Sequence, residues 1–213
     1  SPIAFGGRPA TDCWLDAAGV LVASLGQALR ALVIGLAYIR RGGRNKAIYA
    51  DDLVTDGFFA HSRNPLYLGN MLVYLGLFLI LNSVVGWVAG VPFFLAAYLC
   101  ITAAEEDYLA RRFGAAYRAY CQRVPRFLPR LAGLGATTRG MRFQWRRLIR
   151  KEYGSTYAWT VTVLLLLAYE RLLWSGSAAS WAQLRWLALA WGLLTVLYVA
   201  ARWLKKTRRL EDC

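Results

Sequence analysis

The chain has 213 residues, of which 58% are hydrophobic and 14% aromatic, and its formal net charge is +14. An ordinary soluble domain rarely combines these values, so the composition excludes that class and favours a membrane protein. Anionic lipid headgroups explain the positive charge. We therefore expect anionic membrane lipids as partners and no nucleic acid.

Four apolar stretches approach or exceed the ~20 residues that cross a hydrocarbon core. They cover residues 15–39, 66–104, 157–174 and 181–204, and the second is predicted to hold two helices that break at Asn82-Ser83. The fold class is therefore predicted to be all-α, a polytopic membrane protein with about five transmembrane helices. Gly69 and Gly76 would let neighbouring helices approach closely, and Pro92 predicts a kink in the third helix.

The basic residues lie mainly in residues 40–63, 111–151 and 202–209, and the exceptions are Arg8, Arg30, Arg171 and Arg185. Five helices would put all three basic segments on one side of the membrane, and the positive-inside rule makes that side cytoplasmic. The excess of arginine over lysine suggests a GC-rich bacterial source. The expected location is thus a bacterial inner membrane with the active site facing the cytoplasm.

The chain divides into three predicted parts. Residues 1–14 are expected to form an external arm, residues 15–130 a membrane core, and residues 131–213 a basic interfacial segment followed by two transmembrane helices. Aromatic and basic residues at helical spacing predict cytoplasmic interfacial helices at Tyr108–Tyr120 and Met141–Lys151. Arg30 lies inside the first span, where it either snorkels to the interface or serves a polar site. Ser1 without a preceding methionine suggests a trimmed N-terminus.

The four cysteines show no C-x-x-C or metal spacing, and the single histidine gives no partner set for zinc. We expect free thiols and no metal site. The cysteines are Cys13, Cys100, Cys121 and Cys213.

The polar residues that could take part in catalysis or ligand binding fall in two clusters. The first, within residues 52–70, contains the only histidine and then Arg63, Asn64 and Pro65 at the start of an apolar helix, where proline is favoured. The second is Glu105-Glu106-Asp107, after the next apolar helix. Two antiparallel helices joined by a short turn bring both clusters to the same end.

The ordered motifs resemble those of integral-membrane methyltransferases of the isoprenylcysteine carboxyl methyltransferase and phospholipid methyltransferase type. The matching segments, which together cover about residues 15–130, are Leu53-Val54-Thr55-Asp56-Gly57, Arg63-Asn64-Pro65-Leu66-Tyr67-Leu68-Gly69, and Glu105-Glu106 followed by Leu109, Phe113-Gly114, Tyr117, Tyr120 and Val124-Pro125.

The resemblance implies S-adenosylmethionine (SAM) as cofactor and a lipid or prenyl-like substrate that enters laterally between helices. It implies cofactor contacts from Leu53, Val54, Phe59, Asn64, Pro65, Leu66, Tyr67, Glu105 and Glu106. Carboxylates suit the positive sulfonium and ammonium of SAM, and Arg63 or a helix N-terminus suits its carboxylate. The alternative for both glutamates is a solvated helix end.

The candidate catalytic residues are Arg63, Asn64 and His61. His61 titrates near neutral pH and is a possible base for an amine substrate, although a lone loop histidine is more often structural. Ile101 stands where the eukaryotic carboxyl methyltransferases have an arginine for the substrate carboxylate. We therefore expect recognition of the acceptor mainly through its apolar tail.

Two other functions fit parts of the pattern. One is a nicotinamide-dependent membrane reductase of the steroid 5α-reductase type, which has a comparable helix arrangement. The other is a non-enzymatic membrane scaffold.

Overall fold

The structure is a computed structural model that describes residues 9–36, 41–44, 47–50, 52–139, 141–174, 178–207 and 209. Its helices are α1 (Pro9–Leu36), α2 (Pro65–Leu81), α3 (Val91–Arg123), α4 (Leu134–Thr138), α5 (Trp145–Trp174) and α6 (Ala178–Lys206). A short antiparallel hairpin joins β1 (Arg41–Arg44) to β2 (Ala47–Ala50). A 3₁₀ turn covers Gly57–Ala60, and a π-helical turn covers Gly86–Gly90.

The predicted all-α membrane fold is confirmed. Three described helical segments are long and apolar enough to cross a membrane: Asp12–Leu36, Gly86–Arg123 and Gln183–Lys206. Helix α2 is apolar but only 17 residues long, and the first turns of α5 carry several basic residues. Spans by these two helices stay a prediction.

Several predicted boundaries are wrong. Helix α1 begins at Pro9 and not at residue 15, and residues 1–8 lie outside the described part. The external arm of residues 1–14 stays a prediction. Proline suits a first helical turn, and Asp12 is buried there because its Oδ1 accepts a bond from Asn82 Nδ2 at 3.0 Å. The basic stretch after α1 contains the hairpin of β1 and β2, which the sequence did not predict.

The two expected interfacial helices are parts of longer helices. Residues 108–120 belong to α3, which bends at Gly114. The φ angle of this residue is 51°, a value that favours glycine. Residues 145–151 are the first turns of α5, which continues without a break to Trp174. The separate interfacial helix over Met141–Lys151 was therefore a wrong prediction, since its aromatic and basic pattern extends directly into an apolar helix.

The predicted break between the second and third helices is confirmed. Asn82 takes a left-handed conformation with φ of 40°, and its N–H closes α2 on Phe78 O. Asparagine tolerates this conformation better than most residues. The irregularity expected at Pro92 takes the form of the π turn immediately before α3, a known way for a helix to accommodate a lost hydrogen bond.

Glycines bring α1 and α2 into close contact, as expected from Gly69 and Gly76. A Cβ placed at Gly19 would lie 2.6 Å from Gly76 O, and one placed at Gly26 would lie 2.6 Å from Gly69 O. The helices therefore pack backbone against backbone in an antiparallel pair. Between apolar helices in lipid, this kind of packing replaces the hydrophobic effect as the main attraction.

The polar ends of the helices meet at one end of the bundle. Gln144, just before α5, donates its N–H to Gly35 O near the end of α1 at 2.8 Å. Lys205, near the end of α6, lies 5.1 Å from the ring of Tyr153 in the first turns of α5. The three basic segments thus share one side, in agreement with the alternation predicted for five helices.

We predict that Gly76→Ala lowers the thermal stability of the detergent-purified protein. Its new methyl group would overlap Gly19 O and Ala23, and overpacking of this kind costs about 1–3 kcal/mol. Thermal unfolding followed by circular dichroism measures the change. Gly192→Ala is the matched control, because a Cβ there meets nothing within 4 Å and alanine is the better helix former. Equal melting temperatures for the two variants would contradict the glycine contact.

Candidate active site

The loop before α2 and the segment after α3 lie side by side. Arg63 donates its backbone N–H to Pro125 O at 2.9 Å, and Ser62 donates its hydroxyl to Phe127 O at 2.8 Å. Two motifs that are about sixty residues apart in sequence therefore form one structural unit.

The carboxylate of Glu106 joins these two segments to α3. Arg63 Nη1 lies 3.2 Å from Glu106 Oε1, and Arg126 Nη2 lies 2.5 Å from Oε2. Asn64 Nδ2 also donates to Oε1 at 3.3 Å. Glu106 is only 8% exposed. A buried carboxylate needs such partners, so this cluster fixes the positions of all three pieces of chain.

Arg63 keeps its charge in this cluster. Burial acts to lower the pKa of Arg63, but the negative charge of Glu106 and the hydrogen bond to Cys121 outweigh burial, so that the pKa is raised. Its Nη1 also donates to Cys121 Sγ at 2.8 Å. Arg63 therefore remains a guanidinium at any working pH.

Glu105 has different surroundings from its neighbour. It is 6% exposed, and Tyr67 donates its hydroxyl to Oε2 at 3.0 Å. Because both glutamates are buried, the alternative of a solvated helix end is excluded. Asp107, the next residue, is exposed and pairs with Arg111 on the same helix.

The aromatic residues of the third motif hold the 3₁₀ turn against α3. Tyr120 donates its buried hydroxyl to Phe59 O at 2.7 Å, and Phe59 is fully buried. The bend at Gly114 comes before Tyr117 and Tyr120, which pack together with Leu109 in a core cluster. This arrangement explains why glycine and the two tyrosines occur at fixed spacing.

The remaining predicted cofactor contacts surround the same region. Leu53 packs against the cluster that contains Tyr120, while Val54 and Leu66 pack against a second cluster around Phe59. Pro65 is buried in the first turn of α2. The structure thus brings all nine predicted residues to one end of the bundle.

His61 lies beside this region, and both of its ring nitrogens are engaged within the protein. Nδ1 lies 2.7 Å from Arg130 O, and Nε2 lies 2.9 Å from Thr137 Oγ1. It is also buried. These contacts favour the structural interpretation of His61 over a role as general base.

An apolar groove runs between α2 and α3. Its volume is about 180 Å³, and Tyr98, which lines it, contacts the ring of Tyr67 with centroids 5.8 Å apart. The other lining residues are Met71, Leu72, Tyr74, Leu75, Phe78, Val91, Phe94 and Leu95. The groove therefore ends next to the Tyr67–Glu105 pair.

Sequence reasoning missed two partners in the cluster. Arg126 is one of the many arginines in the basic segment 111–151, and Cys121 was expected only to be a free thiol. The available signal for Arg126 was its position directly after the Val124-Pro125 motif. Ile101 is 48% exposed on α3. Because its side chain is apolar, it offers no charge to a substrate carboxylate.

Comparisons with known proteins agree with this geometry. A family model described as phospholipid methyltransferase matches residues 18–116. A search of curated proteins and a search of solved structures each found no match. The matched range contains α1 from residue 18 onward, the loop before α2, α2 and the part of α3 with both glutamates. The resemblance inferred from the motifs is confirmed, since residues 18–116 of this integral membrane protein match the phospholipid methyltransferase family.

Proposed function

We propose that the protein transfers a methyl group from SAM to an amphiphile that resides in the membrane. The observation that carries this proposal is the position of the partly buried Tyr67 and the buried Glu105 at the polar end of the apolar groove. A polar cofactor and an apolar tail would then meet at one point, where the acceptor headgroup lies.

The residues present fit SAM by their chemistry. Glu105 offers a buried carboxylate to a positively charged group, and Tyr67 holds that carboxylate in place. The N-terminus of α2 at Pro65 suits the amino-acid carboxylate of the cofactor, because the helix dipole favours a negative charge there. Leu53, Val54 and Leu66 supply apolar surface for the rest of the molecule, and the fully buried Phe59 packs behind Val54 and Leu66.

Bound SAM supplies a methyl group already activated by its sulfonium. In the reaction the carbon–sulfur bond breaks as the bond from the acceptor atom to carbon forms, S-adenosylhomocysteine leaves, and an N–H or O–H acceptor releases a proton. The protein contributes alignment and exclusion of water, and orientation alone can supply about 7–11 kcal/mol.

Arg63 and Asn64 act in this scheme by holding Glu106, and hence the loop before α2, in place. His61 supports the same loop from the other side through Arg130 and Thr137. None of these three is required as a base if the acceptor atom is a carboxylate or thiolate. An amine acceptor would release its proton to water at the polar end of the bundle.

The basic segments gathered at this end support a cytoplasmic position for the site, since lysine and arginine accumulate on the inner side of membranes. A bacterial inner membrane is the location we infer. Anionic lipids would neutralise the exposed arginines there.

Two alternatives make different predictions about ligands. A nicotinamide-dependent reductase would bind NADPH, and a scaffold would bind neither cofactor. Calorimetry of the detergent-purified protein with SAM, S-adenosylhomocysteine and NADPH separates the three functions. Binding of NADPH alone would overturn the proposed methyl transfer.

We predict that Glu105→Gln weakens SAM binding by about tenfold to a hundredfold, because a charge-assisted hydrogen bond contributes about 1.5–3 kcal/mol. Titration calorimetry of the two proteins measures the change. Asp107→Asn is the matched control, two positions further along α3 and exposed, and its affinity should stay near that of the wild type. Equal effects from both substitutions would remove Glu105 from the cofactor site.

We also predict that Leu95→Trp reduces methyl transfer to long-tailed acceptors by obstructing the groove. The assay uses short-chain amphiphiles dissolved below their micelle concentration, so that each tail moves from water into the groove. Each added CH₂ should then raise kcat/KM about fourfold, the equivalent of ~0.8 kcal/mol, until the groove is full.

The control for this prediction is Leu99→Trp. Leu95 and Leu99 are both 46% exposed on α3, but only Leu95 lines the groove. A carboxylate acceptor and an amine acceptor should respond alike to tail length. Equal effects of the two tryptophans, or no dependence on tail length, would contradict the groove as the tail site.

A further inference from the structure

A buried ion pair links α5 to the methyltransferase domain. Arg30 of α1 binds Glu152 of α5 through two parallel contacts, Nε to Oε2 at 2.9 Å and Nη2 to Oε1 at 2.5 Å. Glu152 is 3% exposed. Gln27 adds a third bond to Oε2 at 3.1 Å, and Trp159 of α5 donates to Gln27 Oε1 at 3.0 Å. Both oxygens of the Glu152 carboxylate thus accept hydrogen bonds from side chains of α1.

The same arginine reaches the motif that begins α2. Its Nη1 donates to Asn70 Oδ1, and its aliphatic stem passes over Gly69, where a Cβ would lie 2.6 Å from Arg30 Cγ. Gly69 is the glycine of the Arg-Asn-Pro-x-Tyr-x-Gly motif. Its lack of a side chain therefore leaves the space through which Arg30 reaches Asn70.

From Asn70 the contacts continue into the candidate active site. Asn70 follows Tyr67 by three residues on α2, so the two side chains are neighbours on the same face of the helix. The Tyr98 ring contacts that of Tyr67, whose hydroxyl donates to Glu105. An unbroken series of contacts therefore runs from Glu152 to the carboxylate that we assign to the cofactor.

Stability alone is a weak reason for such a pair. Exchange of a buried ion pair for apolar residues of similar volume is often neutral or stabilising, whereas removal of one partner is strongly destabilising. In a bundle of apolar helices, two leucine- or methionine-sized residues would pack at least as well. The pair is better explained by what its geometry does at Asn70.

We propose that Arg30 and Glu152 are positioning residues for methyl transfer, which fix the first turns of α2 and so the direction of Tyr67 toward Glu105. This inference rests on the proposed function. The family match covers residues 18–116 and therefore does not include α5 or α6. The inference gives these C-terminal helices a role, which is to hold the cofactor site in its working geometry.

The decisive variant is Arg30→Met combined with Glu152→Met, which removes both charges and keeps similar volume. We expect its melting temperature to equal or exceed that of the wild type. Its kcat should fall at least tenfold and its SAM affinity should fall as well, because Asn70 has lost its partner. A matched control is Asp12→Asn, a buried polar contact at the opposite end of α1, which should leave kcat unchanged.

A second pair of variants tests the link without touching the ion pair. Asn70→Leu removes the acceptor for Arg30, and we expect it to lower kcat as the double methionine variant does. Asn70→Asp keeps an oxygen at this position and should restore most of the activity. This pair remains informative if the double methionine variant fails to fold.

The outcomes distinguish this inference from the proposed function. Wild-type kcat in both the double methionine and the Asn70→Leu variants would overturn the inference alone, and so would a loss of activity that matches the loss of folded protein. A wild-type protein that transfers no methyl group from SAM to any amphiphile would instead overturn the proposed function.

Discussion

The site depends on the carboxylate of Glu106, which three side chains from two distant segments must neutralise and hydrogen-bond. Arg63 and Asn64 come from the loop before α2, and Arg126 comes from the segment after α3. A carboxylate buried among helices is costly unless it is paired. Satisfying it forces the loop, the helix and the returning chain into one arrangement, and the neighbouring Glu105 is positioned by the same helix.

Close contact between α1 and α2 has a second consequence for the site. Because Gly19 and Gly26 of α1 lie against Gly76 and Gly69 of α2, these helices leave no room for a ligand between them. The groove lies on another side of α2, where large aromatic residues hold α2 and α3 apart. Small residues thus close one interface of α2 and large residues open the other.

The C-terminal helices differ from the rest of the bundle in how they are attached. Apolar side chains of α6 are widely exposed, as expected of a helix in contact with lipid. Helix α5 instead carries Glu152 into a polar contact with Arg30 in the first helix. The bond between them is directional and specific for one position, which non-directional apolar packing between helices does not provide.

The sequence by itself determined the fold class, the break at Asn82, the glycine contacts and the end of the bundle where the two polar clusters meet. These follow from local signals: apolar runs, turn residues, motif spacing and the distribution of charge. It also identified Tyr67, whose hydroxyl donates to Glu105, because the motifs lie at the ends of consecutive antiparallel helices.

Only the tertiary structure decided how those residues divide their tasks. Glu105 and Glu106 are identical and adjacent in sequence, but adjacent helical positions point about 100° apart, so one meets Tyr67 and the other meets two arginines. His61 was predicted from its type, and its contacts with Arg130 and Thr137 depend on a chain segment about seventy residues away. Arg30 and Glu152 are 122 residues apart, and no local pattern records a pair that forms only when separate helices pack.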